Sequence, residues 1–235
     1  MIHVRARSVG EAWITVLQEL VEKGRRGPCQ WQDRRAECIW APLALEITEP
    51  LSEPRFHMGG IQVPRLVYTY RQEVLFGLHN EYVGRGWSYA YHQRLFDHPH
   101  LGCQVGRMME RLRKVPYTRR AVAVTWDRDD HYSETPPCIM YIWAHVEDGR
   151  LDFHCHMRSN DWLKAAMYDI DAMVELMRQM ARDLDVEVGA YRHFVDHCHI
   201  YLRSDDLRLL EVALKRPDAY LTSDELRRLA RAGSL

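Results

Sequence analysis

The sequence predicts an α+β fold, a mixed β-sheet packed with helices, because strands precede and follow one long central helix without strict βαβ alternation. Of the 235 residues, 46% are apolar and 28% are charged, which is a globular composition. That length suits one large domain or two small ones. No internal repeat or long linker divides the chain, so we expect a single domain over residues 1–235.

The first half of the chain predicts helices with one strand between them. A capping box of Ser8 and Glu11 precedes apolar residues at helical spacing. The arginine-rich motifs GRRG and DRR indicate an exposed loop, and Pro50 and Pro54 end the strand that follows it. In chain order the predicted elements are a helix over 8–22, a loop over 23–36, a strand over 40–48, and helices over 65–78 and 104–114.

The second half of the chain predicts strands around the longest helix. A strand rich in β-branched and aromatic residues meets the strong turn signal Asp148-Gly149, and RLDFHCHMR completes a hairpin. The long helix carries one apolar stripe that includes Ile170 and Met173. The predicted elements are strands over 121–126, 139–147, 150–158 and 190–202, the long helix over 160–184, and short helices over 205–214 and 223–231.

Charge and composition exclude several classes of protein. The 32 Lys and Arg residues nearly balance the 33 Asp and Glu residues, and the net charge of -1 argues against binding nucleic acid by bulk electrostatics. No apolar run approaches the roughly 20 residues that span a bilayer, and the N-terminus has no apolar signal-peptide core. We therefore expect a soluble, cytoplasmic protein. Its six cysteines are too sparse for a disulfide scaffold, so each is a reduced nucleophile, metal ligand or core residue.

Cys138 is the first candidate for chemistry. The two prolines of ThrProProCys fix the backbone before it and hold the thiol at the start of a strand. Arg158 follows 20 residues later, and the hairpin between them brings the two segments side by side. A nearby guanidinium lowers the pKa of a thiol and favours the thiolate. The ordinary alternative is an inert core cysteine and a solvated arginine.

A His-Cys-His pattern occurs twice, at 154–156 and at 197–199. Alternate residues of a strand share a face, so each pair of histidines points one way and its cysteine the other. Two such pairs predict either a metal-binding protein or ordinary histidines of a sheet. No CxxC or HxxxH spacing accompanies them.

Three further charged residues are candidates for binding. Arg119 and Arg120 precede a predicted strand, where paired guanidinium groups suit a phosphate dianion. Asp169 lies inside the long helix, where aspartate is unfavourable, so it is either exposed or held by a partner. In a pocket beside a cysteine nucleophile, such a carboxylate can read the donor edge of a base.

Together these motifs resemble thymidylate synthase. The order and spacing of ThrArgArgAlaValAlaValThrTrp, ProProCys, a hairpin, ArgSerAsnAsp, the long helix and HisCysHisIleTyr follow that family. The resemblance is clear over residues 104–204 and weaker before them, where GluValLeuPheGly at 73–77 and TyrAlaTyrHisGlnArgLeu at 89–95 look like family segments. The sequence is most similar to the short, archaeal-type and phage-type members.

The resemblance implies a role for each matching residue. The protein would be an obligate homodimer that converts a nucleoside monophosphate with 5,10-methylenetetrahydrofolate as co-substrate and without a metal. Cys138 would be the nucleophile that adds to C6 of the pyrimidine, near the general acid–base residue Glu73 and near Tyr91, and Asp161 would contact the folate. The implied substrate contacts are Arg158 and Ser159 on the phosphate, with Arg25 or Arg26 of an N-terminal loop; Arg119 and Arg120 on the phosphate in the neighbouring subunit; and His199 and Tyr201 on the sugar.

Asp169 departs from the family pattern. Thymidylate synthase has an Asn there, eight residues after the aspartate that matches Asp161, and its amide reads the uracil N3–H and O4. Cytosine presents an N4–H donor and an N3 that gains a proton as the C6 adduct forms, and a carboxylate can accept from both. This is the pattern of the deoxycytidylate hydroxymethylase branch, so the resemblance implies a cytosine nucleotide, dCMP or CMP, as substrate.

The resemblance leaves the product open. After one-carbon transfer, water attack on an exocyclic methylene gives a 5-hydroxymethyl group, whereas hydride transfer from the folate gives a methyl group. The sequence RLARAGSL at the C-terminus lacks the apolar tail that closes typical thymidylate synthase sites, and no tryptophan-bearing insertion is evident over 75–90, although Trp87 can substitute. We therefore expect hydroxymethylation, with cytidylate C5 methylation, dUMP-type thymidylate synthesis and silent nucleotide binding as alternatives.

Overall fold

A mixed β-sheet organises the chain in the computed structural model, which describes residues 1–31 and 34–233. Within those residues the sheet has seven strands, in the order β1-β3-β8-β7-β6-β5, and β2 adds to β3 outside this path. Strands β4 and β9 form a separate small sheet. The strands are β1 Ile2–Ala6, β2 Arg25–Trp31, β3 Arg34–Ile47, β4 Phe56–His57, β5 Val122–Val124, β6 Ile139–Glu147, β7 Arg150–Asp161, β8 Glu187–Tyr201 and β9 Tyr220–Leu221.

The helices connect and cover these strands. They are α1 Val9–Lys23, α2 Pro64–Phe76, α3 Tyr91–Phe96, α4 Gln104–Lys114, α5 Ala166–Leu184, α6 Ser204–Lys215 and α7 Ser223–Ala232. No helix among the described residues is long and apolar enough to cross a membrane. Strands and helices mixed in this way confirm the predicted α+β class.

The strand directions explain why α5 crosses the sheet. β6 and β7 are antiparallel and meet at the turn of Asp148 and Gly149, whose φ angles of 49° and 71° are left-handed. β7 and β8 are parallel, and parallel neighbours need a long crossover, which α5 supplies. The buried face of α5 includes Ile170, Met173 and Met177. Helix α5 therefore starts beside the end of β7 and lies against the core.

Two tryptophans join the N-terminal helix to the end of β7. The indole N–H of Trp13 donates to the carbonyl of Trp162 at 2.8 Å, and the indole N–H of Trp162 donates to the carbonyl of Trp13 at 2.9 Å. Both side chains are fully buried. Because each indole satisfies its one polar atom on the other residue's backbone, the pair combines large apolar burial with no unpaired donor.

The predicted loop over 23–36 is wrong. β2 and β3 instead form an antiparallel hairpin, with Arg25 opposite Trp40 and Trp31 opposite Arg34; residues 32 and 33 of the predicted loop lie outside the described residues. The arginines of GRRG stand on the edge strand β2, where charged side chains are common because they discourage further pairing, and those of DRR stand at the start of β3. The backbone of β2 pairs because β3 is beside it, and local composition does not encode that partner.

The predicted start of the long helix is also wrong. β7 continues to Asp161, and α5 begins at Ala166 rather than at residue 160. The Asp161 carboxylate accepts hydrogen bonds from the backbone N–H groups of Leu163 and Lys164, both at 3.1 Å. This side chain therefore forms the turn that separates strand from helix. The sequence prediction also lacked β1 and α3, whereas the helix over 104–114 and the strand over 139–147 are confirmed.

A buried ion cluster ties α5 to the segments before it. The fully buried carboxylate of Asp171 lies 2.9 Å from Nη2 of Arg55 and accepts from Nη2 of Arg71 at 2.8 Å. Glu175, one turn later, accepts from Nη1 of Arg55 at 2.7 Å. Each charge has an opposite charge within hydrogen-bond distance, which offsets its removal from water.

We predict that Asp171→Ala lowers the free energy of unfolding by about 3 kcal/mol, because it leaves two guanidinium groups short of a partner in the interior. Urea denaturation of the two proteins measures the difference. Asp183→Ala is the matched control on the same helix, since the Asp183 carboxylate is half exposed and pairs with exposed Arg182. A loss as small as that of the control would contradict the argument.

Candidate active site

A cleft of about 600 Å³ opens at the end of the sheet where β7 and β8 finish. Its walls come from α2, the segment before α3, the start of β6, the ends of β7 and β8, and the first turn of α5. Eight of the residues predicted for the site line it together: Glu73, Tyr91, Cys138, Ser159, Asp161, Asp169, His199 and Tyr201.

Cys138 lies directly before β6 and lines the cleft. Its backbone N–H and that of Ile139 both donate to the Tyr91 hydroxyl at 3.1 Å, which fixes Tyr91 beside the thiol. The guanidinium of Arg158 lies 3.7 Å from the sulfur, through Nη2. The same guanidinium donates to the carbonyls of Pro136 and Pro137 at 2.8 and 2.9 Å. The two prolines thus orient the arginine toward the thiol.

The electrostatics of the thiol have two opposing parts. Burial raises the pKa of Cys138 because the thiolate loses its hydration, and the nearby Arg158 guanidinium lowers that pKa in part. The carboxylate of Asp169 raises it further. The balance keeps the thiol protonated in the free protein. Formation of a thiolate therefore depends on the charge of Arg158.

Asp169 is buried, and its two carboxylate oxygens have different partners. The Tyr70 hydroxyl donates to Oδ1 at 2.6 Å, and the Asn160 amide donates to Oδ2 at 2.7 Å. Burial raises the pKa of Asp169 to about 6, against the lowering effect of those two hydrogen bonds. Oδ1 of Asn160 lies 3.4 Å from Nε2 of His193, which is buried. Tyr70 and Asn160 thus hold the carboxylate of Asp169 in place, and Asp169 lines the cleft.

The ends of β7 and β8 place Asp161 opposite His199. Burial raises the pKa of Asp161 to about 6, although two backbone N–H groups and Lys164 lower it in part. Nδ1 of His199 lies 3.1 Å from the carbonyl of His197, which can only accept, so Nδ1 carries the hydrogen. Burial lowers the pKa of His199 and favours the neutral ring. Its Nε2 is buried and has no hydrogen-bond partner among the described residues.

Glu73 and Tyr201 complete the predicted residues of the cleft. Glu73 stands on α2, and its Oε1 lies 2.9 Å from Nδ1 of His79. The hydroxyl of Tyr201 donates to the carbonyl of Gln30 at 3.2 Å, which ties β8 to the β2–β3 hairpin. Trp31, the last residue of β2, also lines the cleft, so the hairpin is part of its wall.

Three predicted phosphate-binding residues lie away from the cleft of this chain. Arg25 is exposed on β2 and borders a separate cavity near the N-terminus. Arg119 and Arg120 are exposed before β5, as expected for side chains that serve a second subunit. A single chain does not test that expectation, so the roles of these three residues, and of Arg26, stay predictions.

The cleft also contains residues that the sequence did not single out. Tyr70 and Asn160 hold Asp169, and Tyr89 lies beside Tyr91 with ring centroids 5.1 Å apart. Asn160 is inside the quoted motif ArgSerAsnAsp, and a buried aspartate requires donors. The sequence therefore indicates that Asp169 has hydrogen-bond donors, but it does not indicate which residues supply them.

The two His-Cys-His patterns lie on neighbouring strands, β7 and β8. Cys155 and Cys198 are fully buried. His156 lies 3.1 Å from the carboxylate of Asp196, and His154 lies 3.2 Å from the Arg192 guanidinium. Over residues 1–31 and 34–233, no group of three or more His, Cys, Asp or Glu side chains has a geometry that could hold a metal ion. Nothing in their placement favours the metal-binding alternative.

Known proteins resemble the chain over most of its length. The family described as thymidylate synthase matches residues 73–229. A protein of Methanocaldococcus jannaschii named "Putative thymidylate synthase" is 27% identical over 219 residues, which are 87% of this chain and 93% of that protein. A protein of Methanothermobacter marburgensis with the same name is 28% identical over 207 residues, 82% of this chain and 90% of that protein. The thymidylate synthase of Bacillus licheniformis is 30% identical over 114 residues, 48% of this chain and 40% of that protein.

Fold and cleft define a one-carbon transferase that acts on nucleotides, and the family match spans more than half of the chain. The chain belongs to the thymidylate synthase family. Members use methylenetetrahydrofolate as co-substrate, bind a nucleoside monophosphate and typically act as dimers.

We predict that alkylation of Cys138 by iodoacetamide accelerates about tenfold from pH 7 to pH 8, because the thiolate fraction grows tenfold per unit below the raised pKa. Arg158→Gln removes the group that lowers this pKa, so alkylation at fixed pH slows by about tenfold, the equivalent of one pKa unit. Peptide mass spectrometry follows the reaction. Exposed Cys103 is the internal control, and an unchanged Cys138 rate in the variant would contradict the role of Arg158.

Proposed function

We propose that the protein transfers a one-carbon unit to C5 of a cytosine nucleotide, dCMP or CMP, and releases the 5-hydroxymethyl product. The observation that carries this proposal is the buried carboxylate of Asp169 at the cleft wall. Cytidylate C5 methylation with the same residues is the nearest alternative, and a dUMP-type reaction is the second.

Asp169 is suited to the base edge of cytosine. Tyr70 and Asn160 each donate one hydrogen bond to it, and every carboxylate oxygen can accept more than one. One oxygen can therefore accept from cytosine N4–H. Because burial raises the pKa of Asp169 to about 6, the carboxylate can also accept the proton that N3 gains as negative charge develops there. The edge of uracil presents N3–H as a donor and the carbonyl O4 as an acceptor. An ionised carboxylate repels the O4 oxygen.

The other residues bind the nucleotide or take part in the addition to C6. The Cys138 thiolate adds to C6, and its negative charge is supported by Arg158 at 3.7 Å. The unpaired Nε2 of His199 accepts from a sugar hydroxyl. Ser159 and Arg158 face the nucleotide phosphate, and Arg119 and Arg120 of a second subunit complete that site in a homodimer. We place the reaction in the cytoplasm.

We place the folate in the space beside the nucleotide. A second cavity of about 270 Å³ shares Tyr70, Glu73 and Asp169 with the cleft, and its other walls include the ring of Tyr168 and the side chain of Leu66. A flat aromatic group suits such walls. When bound, the co-substrate supplies the methylene carbon. Asp161, which also lines the cleft, contacts the folate in this proposal.

Hydroxyl groups in the cleft wall favour water attack over hydride transfer. The hydroxyls of Ser88 and Thr135 hydrogen-bond to each other at the wall, and the hydroxyl of Tyr89 is also present. Trp87, which also lines the cleft, is 38% exposed, so it does not seal the cleft from solvent. Such groups can order a water molecule near C5 of the nucleotide.

We predict that the wild-type protein converts dCMP or CMP, but not dUMP, and that Asp169→Asn shifts the ratio of kcat/KM values toward dUMP by about 100-fold. A single base-reading pair supports a change of that size, since mismatched buried donors cost roughly 1–3 kcal/mol each. Mass spectrometry of products from CMP, dCMP and dUMP measures base, sugar and product together. Asp183→Asn, exposed on the same helix, is the control, and an unchanged ratio would show that Asp169 does not read the base.

Cys138→Ser is expected to abolish turnover while the Kd for the nucleotide changes less than about threefold, because an alcohol at neutral pH is a poor nucleophile for C6. Calorimetric titration measures binding, and release of tritium from a 5-tritiated cytosine nucleotide measures turnover. Tritium release by this variant would refute the covalent mechanism.

A further inference from the structure

His79, which follows α2, has a backbone conformation that is uncommon outside glycine. Its φ of 70° is left-handed, a region that few non-glycine residues adopt and that concentrates at functional sites. From this position its Nδ1 lies 2.9 Å from Oε1 of Glu73, six residues earlier. Glu73 lines the cleft, so the strained residue contacts a residue of the proposed site.

The turn that carries His79 is fixed on both sides. Gly77, with φ of 74°, ends α2, and a Cβ atom there would lie 2.6 Å from Nδ2 of Asn80. The Asn80 amide in turn lies 2.9 Å from Nδ1 of His92 on α3. The glycine is therefore required, and the backbone on either side of His79 has little freedom.

Aromatic rings fix the imidazole of His79. The ring of Tyr82 lies 5.5 Å away, centroid to centroid, and the ring of Trp87 lies 6.1 Å away and almost perpendicular. Trp87 also lines the cleft. These contacts set the orientation in which Nδ1 faces Glu73.

We propose that His79 is a positioning residue for Glu73, which acts as the base in the water-attack step; this inference rests on the proposed function. The Nδ1–H group of His79 holds Oε1 of the carboxylate. No residue in the described part of the chain forms a hydrogen bond with Oε2, which leaves that oxygen available to a water molecule. A base restrained in one orientation reacts faster than a mobile one because less freedom is lost at the transition state.

The water-attack step involves the nucleotide, one water molecule, Cys138 and Glu73. The nucleotide is joined to Cys138 through a C6–S bond and carries an exocyclic methylene at C5. The oxygen of water bonds to that methylene carbon, and its proton passes to Oε2 of Glu73. The electron pair of the former exocyclic double bond then forms the C5–C6 double bond as the C6–S bond breaks. Cys138 leaves as the thiolate, so one negative charge moves from Glu73 to sulfur.

The first test separates water attack from the earlier steps. In a single turnover with 5-tritiated dCMP, His79→Asn is expected to release tritium within twofold of the wild-type rate and to form hydroxymethyl product about 10- to 100-fold more slowly. Asparagine tolerates the left-handed conformation, and its shorter amide does not reach Glu73. His79→Gly, which adopts that conformation without strain, gives the same result and serves if the first variant does not fold. Equal slowing of both rates, or of neither, would overturn the proposal.

The second test asks whether His79 acts through Glu73. Glu73→Gln slows product formation more than His79→Asn does, and the double variant is expected to match Glu73→Gln alone within about twofold. The KM for the nucleotide stays within about twofold in His79→Asn. Multiplied effects in the double variant would mean that His79 has a separate structural role and would overturn the inference. His3→Asn, an exposed histidine of β1, is the control and leaves all rates unchanged.

The proposed function and the role of His79 can fail independently, and the experiments distinguish the two failures. If the wild-type protein releases tritium only from 5-tritiated dUMP, the proposed function is wrong. If the wild-type protein makes hydroxymethylcytosine nucleotide and the two variants behave independently, the proposed function holds and the role of His79 is wrong.

Discussion

The parallel pairing of β7 with β8 is the constraint on which the site depends. Parallel neighbours cannot be joined by a tight turn, so α5 must begin where β7 ends and return across the sheet. That one requirement brings together the end of β7 with Asp161, the end of β8 with His199, and the first turn of α5 with Asp169. The cleft occupies the space where the three meet.

Two aspartates on α5 illustrate how the protein uses buried charge. Asp171 faces two guanidinium groups and joins helix to core, whereas Asp169, two residues earlier, has a hydroxyl and an amide as partners. A carboxylate between two cations is satisfied and needs nothing from a ligand. A carboxylate with neutral donors keeps its pKa raised to about 6 and remains able to share a proton. The difference in partners separates a structural residue from the residue that we propose binds the base.

Local sequence predicted much of the fold because several elements carry their own signals. The helix over 104–114 and the strand over 139–147 have clear periodicity or composition, and the spacing of Cys138 and Arg158 gave the site motif. The errors involve partners that are distant in sequence. β2 pairs only because β3 lies beside it, and Tyr70 reaches Asp169 across 99 residues of chain. Periodicity has no means of indicating such partners, and a left-handed residue such as His79 is visible only in the backbone.

The strand order also has a consequence for how the protein is made. β3 pairs with β1 and β2, which precede it in the chain, but its third neighbour in the sheet is β8. β8 also pairs with β7, and it is the last long strand to be synthesised. Until then the edge of β3 and the edge of β7 have no partner at the position that β8 fills. Contacts of such long sequence separation slow folding and leave strand edges open to aggregation. Synthesis of this protein should therefore depend on protection of the nascent chain until the end of β8 has emerged.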